Sequence, residues 1–271
     1  MDWLQVVVLS LVQGITEFLP ISSSGHLILP SQLTDWPDQG LLFDVAVHFG
    51  TLLAVIAYFR GELLAMLFAS KGIIIGTANL TANERDDFRL ALMVIVGTLP
   101  VVIIGFTAKP LIETYLRTIP VIASTTLVFG VLLWLSDRVA QSRDDSSGLT
   151  WLIVMGIGLA QCLALIPGTS RSGITITAAL FFGLARTTAA RFSFLLAIPT
   201  IAGAQLLMLL DLSTGTASQS MPQLAAAMLL AGGSAYCCIH FFIKLVEKTG
   251  MLPYVIYRLL LGCFLFGLYF L

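Results

Sequence analysis

Charge is what this 271-residue chain has least of: 14 Lys and Arg and 15 Asp and Glu make up 11% of it, where an ordinary soluble domain carries about 25%. So few charges cannot cover a water-facing surface. With 58% hydrophobic residues and a mean hydropathy of +0.96, lipid must cover much of the molecule. The net charge of −1 supplies no basic field, which excludes a nucleic-acid partner. Cysteine is scarce too. Cys162, Cys237, Cys238 and Cys263 lie in or beside apolar stretches with no CxxC pair and no metal-ligand spacing, so they are expected as small core residues. Met1-Asp2-Trp3 has neither a basic n-region nor a small-residue cleavage site, and the first apolar stretch is expected to stay in the mature protein.

What is there is a series of long apolar runs. A spanning helix needs about 20 mostly apolar residues, and six stretches meet or approach that: roughly 43–59, 90–108, 119–136, 192–210, 222–243 and 252–271. Two more apolar regions are interrupted. Residues 3–33 are broken by Pro20 and Ser22-Ser23-Ser24-Gly25, and 150–186 by Pro167-Gly168 and Ser170-Arg171-Ser172-Gly173. Polar backbone at membrane depth is tolerated only where protein or a watery cavity surrounds it, so both regions read as re-entrant helical hairpins. The expected class is an all-α integral membrane protein of six spans plus two such hairpins.

Basic residues give an orientation. Arg60, Lys71, Arg85 and Arg89 follow the first span, Arg138 and Arg143 the third, Lys244 and Lys248 the fifth, while Asp211 to Gln223 holds no Lys or Arg. The first, third and fifth connections are therefore expected in the cytoplasm and both termini outside; Lys109 and Arg117 run against the pattern. An internal repeat goes with it. Gln13, Ser22, Ser24 and Gly25 recur 148 residues later as Gln161, Ser170, Ser172 and Gly173, and Phe43-Asp44…Thr51 aligns with Phe192-Ser193…Thr200 at a shift of 149. The chain then reads as one membrane domain, 1–271, of two repeats, about 1–136 and 149–271. Three spans per half invert the second copy, and paired broken helices in inverted repeats place a polar site between them.

The polar residues inside apolar sequence carry the chemistry. Glu17 is costly at membrane depth and so a functional candidate; Gln13 lies one turn earlier on the same face. Together they could hold a divalent cation through oxygen ligands or orient a nucleophile. Ser22, Ser23, Ser24 and His26 form a turn opening the second hairpin arm, with a helix N-terminus suited to phosphate and a Ser that Glu17 or His26 could activate. In the second hairpin Arg171, always charged and forked, sits beside Ser170, Ser172 and Thr175 as an anion clamp in outline. Arg186 and Arg191 read as a cytoplasmic helix boundary, and His48 and His240 as packing residues. Asp44 either extends the polar site or marks the outer start of a span.

Gln13-Gly-Ile-Thr-Glu-Phe-Leu-Pro-Ile-Ser-Ser-Ser-Gly-His26 and Pro167-Gly-Thr-Ser-Arg-Ser-Gly-Ile-Thr175 resemble the two signature motifs of the bacterial undecaprenyl-pyrophosphate phosphatases of the bacitracin-resistance type. The likeness extends over essentially the whole chain, to the closing Pro253-Tyr254…Tyr257-Arg258. It implies hydrolysis of the lipid pyrophosphate to undecaprenyl phosphate and inorganic phosphate, recycling the cell-wall lipid carrier. It implies Ser23, Glu17, His26 and Arg171 as catalytic residues, with Gln13, Ser170 and Thr175 as further site residues; Ser22, Ser24 and Ser172, beside them in the two turns, are expected with Ser170, Arg171 and Thr175 to bind substrate. A divalent cation, Mg2+ or Ca2+, would be held by Glu17 and Gln13, although many relatives carry Glu at the position of Gln13. The location implied is the bacterial inner membrane, with the site facing the periplasm. Partners would be the polyprenyl pyrophosphate and membrane lipids, and a homodimer is one assembly the sequence allows.

A lipid-phosphate transporter or flippase using the same cavity is the rival from another class, since inverted repeats with broken helices are also transporter architecture. A carrier needs the Arg clamp but no nucleophile. The acid-phosphatase-like lipid phosphatases are excluded: their second His falls six residues after the Arg, where this chain has Thr177.

Overall fold

The computed structural model describes residues 1–34, 36–111, 115–116, 118–141, 148–211 and 220–270. These are mostly helical, with no strand among the described residues. Six helices are long and apolar enough to cross a membrane: α4 (Leu41–Tyr58), α7 (Ala82–Leu111), α8 (Ile119–Gln141), α11 (Arg186–Asp211), α12 (Met221–Thr249) and α13 (Leu252–Phe270). They fall on the six apolar runs. α7 begins earlier than its run because Asn83 to Asp87 extend the same helix past its apolar part. Large side chains such as Ile74, Phe106, Leu152 and Leu260 stand exposed on the outside, as the apolar exterior of a multi-pass membrane protein does.

The interrupted regions form broken helices. The first comprises α1 (Trp3–Phe18), α2 (Ser23–Leu27) and α3 (Leu29–Leu33); the second comprises α9 (Trp151–Gln161), a 3-10 turn at Cys162–Leu165, and α10 (Arg171–Phe181). At 1.5 Å per residue, α1 is about 24 Å long and α9 and α10 about 16 Å each, short of a hydrocarbon core of about 30 Å. Those lengths fit re-entrant hairpins. The capping box at Asp2 and Gln5 starts α1, and the Thr150 side chain caps α9.

Packing is paired in a way that exchanges the two halves. α1 lies on α12, and α9 lies on α7; likewise α4 lies on α12, and α11 on α7. Both hairpin contacts are backbone-close: a Cβ at Gly14 would fall 2.4 Å from the Ala231 carbonyl oxygen, and one at Gly158 would fall 2.5 Å from that of Gly97. Small residues permit such approach where no hydrophobic force drives helices together in lipid. α8 and α13 pack on each other.

Two short helices, α5 (Arg60–Ala69) and α6 (Gly72–Ile75), connect α4 to α7 and escape a search for span-length runs. Charged contacts gather at the ends the basic residues mark. Arg186 forks onto Asp137 at 2.6 and 3.0 Å, Arg191 pairs with Glu62, and Lys71 with Glu84 at 2.6 Å. Arg117, Arg143 and the loop segments 142–147 and 212–219 lie outside the described residues. The cysteines need correcting: Cys237 and Cys263 are exposed and Cys162 and Cys238 half-buried, all four free. A small thiol can face lipid at no cost, so the burial habit of cysteine in soluble proteins does not carry over.

Candidate active site

Each hairpin turns at a residue in a backbone conformation that L-residues avoid. Ser22 has φ 74° and Ser170 has φ 69°, and these are the only non-glycine residues with positive φ among the described residues. Each such residue costs about 1–3 kcal/mol and persists only where its surroundings over-determine it. They stand 148 residues apart, and the local structure repeats with them. Ser22 Oγ accepts from Gly25 N at 3.4 Å, and Ser170 Oγ from Gly173 N at 3.1 Å. Each also pairs with the hydroxyl two residues on, Ser24 at 3.1 Å and Ser172 at 3.2 Å.

The two turns are sewn together reciprocally. Gly168 N donates to Ser24 Oγ at 3.4 Å, and Ser172 Oγ donates to the Leu19 carbonyl at 2.9 Å. Thr175 Oγ1 bonds the Arg171 carbonyl and the Ser193 hydroxyl, at 2.9 and 2.7 Å. Ser22, Ser24, Ser170, Ser172 and Thr175, expected to bind phosphate, thus have internal partners. Their hydroxyls satisfy irregular backbone in an apolar setting.

This stitching brings the first helical residues of α2 and α10, Ser23 and Arg171, to the carboxylate of Glu17 from opposite sides. Arg171 Nη2 donates to Glu17 Oε1 at 2.9 Å. Ser23 Oγ and Gln13 Nε2 both donate to Glu17 Oε2 at 2.9 Å. The Glu17 and Arg171 side chains are only 9% and 12% exposed. Phe18 lies under the guanidinium, 5.7 Å from ring centroid to Cζ, and Arg171 Nη1 reaches the Ser193 carbonyl at 3.4 Å. Chemically, a hydroxyl bonded to a carboxylate can serve as a nucleophile beside its base, and a forked cation can clamp phosphate.

His26 lies elsewhere in the network. Its Nδ1 is 2.6 Å from the Ser22 carbonyl oxygen; a carbonyl only accepts, so Nδ1 carries the proton. Nε2 then accepts from the Tyr257 hydroxyl at 2.6 Å, and the two rings stack 5.4 Å apart at 7°. Of the two bases weighed for Ser23, Glu17 is the one bonded to it.

The sequence reading missed His48. Its Nδ1 bonds the Asp44 carbonyl at 2.8 Å and its Nε2 stands 3.9 Å from Glu17 Oε2, so it borders the site and is no simple packing residue. His48 is the eighth residue of α4 and Ser193 the eighth of α11, each about 10 Å along its helix from the start. Asp44, in the first turn of α4, accepts from Gln39 Nε2 at 3.1 Å. His240 packs against the rings of Tyr58 and Phe241.

Gln13 is wholly buried and its Oε1 has no hydrogen-bond partner, an omission that costs about 1–3 kcal/mol. An amide oxygen and a carboxylate are hard donors of the kind Mg2+ and Ca2+ take. No group of three His, Cys, Asp or Glu among the described residues could hold a metal by itself. The donor set therefore fits a cation whose remaining ligands come from substrate phosphate and water, the usual habit of Mg2+.

The family model for bacitracin resistance protein BacA matches residues 6–264. The chain belongs to this family. It is also similar to an undecaprenyl-diphosphatase of Alcanivorax borkumensis, 54% identical over 265 residues that cover 97% of each chain. The match to the BacA family takes in both hairpins, all six spans up to residue 264 and every residue of the Ser23–Glu17–Arg171 cluster.

Proposed function

We propose that this chain, an undecaprenyl-pyrophosphate phosphatase by family and by full-length similarity to the Alcanivorax borkumensis enzyme, cleaves its substrate between the two hairpins. The carrying observation is the continuous set of bonds Ser23–Glu17–Arg171, which joins a hydroxyl of one hairpin to a cation of the other through one buried carboxylate. The pyrophosphate head would compete with Glu17 for Arg171, since a multiply charged phosphate offers the fork two oxygens at once. Ser23 attacks the terminal phosphorus, or orients the water that does, and Glu17 Oε2 takes the proton. The bond to the bridging oxygen breaks and undecaprenyl phosphate leaves; where Ser23 is the attacking group, water then hydrolyses the phosphoserine and releases inorganic phosphate. Phosphoryl transfer asks the protein mainly for positioning and charge neutralisation, and Arg171 supplies the larger part of the latter.

Glu17 and Gln13 would hold a divalent cation, which when bound adds charge neutralisation at the phosphate oxygens. His26, held by Tyr257, braces the Ser22 turn from behind. The paired turns at Ser22 and Ser170, and the exchange of α12 for α7 between halves, support two inverted repeats that have specialised: position 23 offers a hydroxyl where its counterpart 171 offers a guanidinium. Membrane lipid would cover the exposed apolar surface. The family resemblance implies the bacterial inner membrane with the site open toward the periplasm, and the Lys and Arg pattern, which puts both termini outside, is compatible with that. A carrier would need Arg171 but has no use for a hydroxyl bonded to a carboxylate, so that contact favours the enzyme over the transporter. Phosphate release from purified protein given a polyprenyl pyrophosphate, with and without chelator, tests the reading. Release that chelator abolishes is expected; transport without release would refute it.

A further inference from the structure

The last helix buries a cation that no acid answers. Arg258 in α13 is 0% exposed and the bulkiest of the fully buried side chains, and no carboxylate forms an ion pair with it among the described residues. Among the described residues its guanidinium donates only to carbonyls: Nη1 to Pro20 at 3.1 Å and Thr169 at 3.0 Å, Nη2 to Gly168 at 3.1 Å and Thr125 at 3.4 Å, and Nε to Thr126 at 3.1 Å. A charge in such a place is expensive, and a fold staple could be made more cheaply from apolar packing. Its partners tell what it does instead. Pro20 and Gly168 stand 148 residues apart, each two residues before a serine of positive φ, and irregular backbone among apolar helices must find donors for its carbonyls.

We infer that Arg258 is a positioning residue for the phosphatase reaction. It grips the carbonyls of both turns at once and so fixes the spacing at which Ser23 and Arg171 meet Glu17. The inference rests on the assignment of the active site to those three residues. Lysine cannot substitute, because three donors on a point charge do not span five carbonyls that a planar fork reaches. Arg258 touches no reacting group, so its effect must travel through the turns.

The test compares Arg258→Lys with wild type, purified in detergent, measuring kcat, KM and thermal unfolding, with Arg171→Lys assayed in parallel. Displacing reacting groups by about 1 Å costs on the order of 100-fold in rate. We therefore expect kcat per folded molecule to fall by about that factor, while KM stays within about threefold because Arg171 still binds phosphate. Gly130→Ala perturbs the same side chain from outside. Its Cβ would lie 3.2 Å from Arg258 Cβ, so the root of that side chain must give by a few tenths of an ångström while its charge stays intact. A smaller fall in kcat, with folding preserved, is expected there, and this variant decides the matter if Arg258→Lys does not fold. A folded Arg258→Lys enzyme with kcat within threefold of wild type, or an unchanged kcat in Gly130→Ala, overturns the inference and leaves the site assignment standing. Near-normal turnover in Arg171→Lys would remove both.

Discussion

Replacing Arg171 by Lys keeps the charge and removes the fork, which makes it the sharpest perturbation of the clamp. In the structure the guanidinium spends Nη2 on Glu17 at 2.9 Å and Nη1 on the Ser193 carbonyl at 3.4 Å, over the face of Phe18. An ammonium reaches one such partner well and has no flat face to lay on the ring. One charge-assisted hydrogen bond is worth about 1.5–3 kcal/mol. Its loss from the transition state alone slows the reaction roughly 10- to 150-fold. The misplaced remaining charge adds to that, so a fall of at least about 100-fold is expected. Folding should survive, because α10 keeps its Ser170 cap and its stitching to Leu19. The assay is phosphate release from a polyprenyl pyrophosphate by detergent-purified variant and wild type, with thermal unfolding as the control. A folded Lys variant within threefold of wild type would refute the reasoning, since Arg171 would then be only a charge or lie outside the site.

Three further outcomes are expected. Glu17→Gln should abolish turnover and also lower stability by about 3 kcal/mol or more, because it strands Arg171 as a buried unpaired cation; an active, equally stable variant would contradict the pairing. Chelator should abolish phosphate release and added Mg2+ or Ca2+ should restore it, whereas chelator-resistant turnover would dismiss Gln13 and Glu17 as cation ligands. In a cysteine-free background, a cysteine in the 211–221 loop should label from outside and one in the 137–148 loop only after permeabilisation; labelling of both from one side would break the inverted repeat.

The six spans were readable because a bilayer demands long apolar runs, and the two broken helical regions because Ser, Gly and Pro interrupt such runs conspicuously. Glu17 and Arg171 stood out for the same reason: a charge inside apolar sequence has to be explained. Helices α5 and α6 did not stand out, being too short and mixed to register as spans. His48 was hidden because its meaning depends on which face of α4 meets α1, and no periodicity in one helix reports that. The serine cluster was legible only in part. Composition pointed to hydroxyls arrayed for phosphate, and could not show that several of them also cap and cross-link the two turns while Ser23 bonds Glu17. Arg258 was least legible of all, since its partners are backbone carbonyls spread from Pro20 to Thr169, and a carbonyl leaves no mark in a sequence.

Ser23 is the residue on which hydrolysis turns. Its hydroxyl is the one bonded to Glu17 across from Arg171, while those of Ser22 and Ser24 bond to each other. Steady-state phosphate release by Ser23→Ala, beside Ser22→Ala and Ser24→Ala, separates the three. If Ser23 attacks phosphorus, its loss should lower kcat by several orders of magnitude with KM little changed, and the other two variants should lose roughly tenfold or less, the worth of one neutral hydrogen bond. Substantial turnover by a folded Ser23→Ala enzyme would contradict the account.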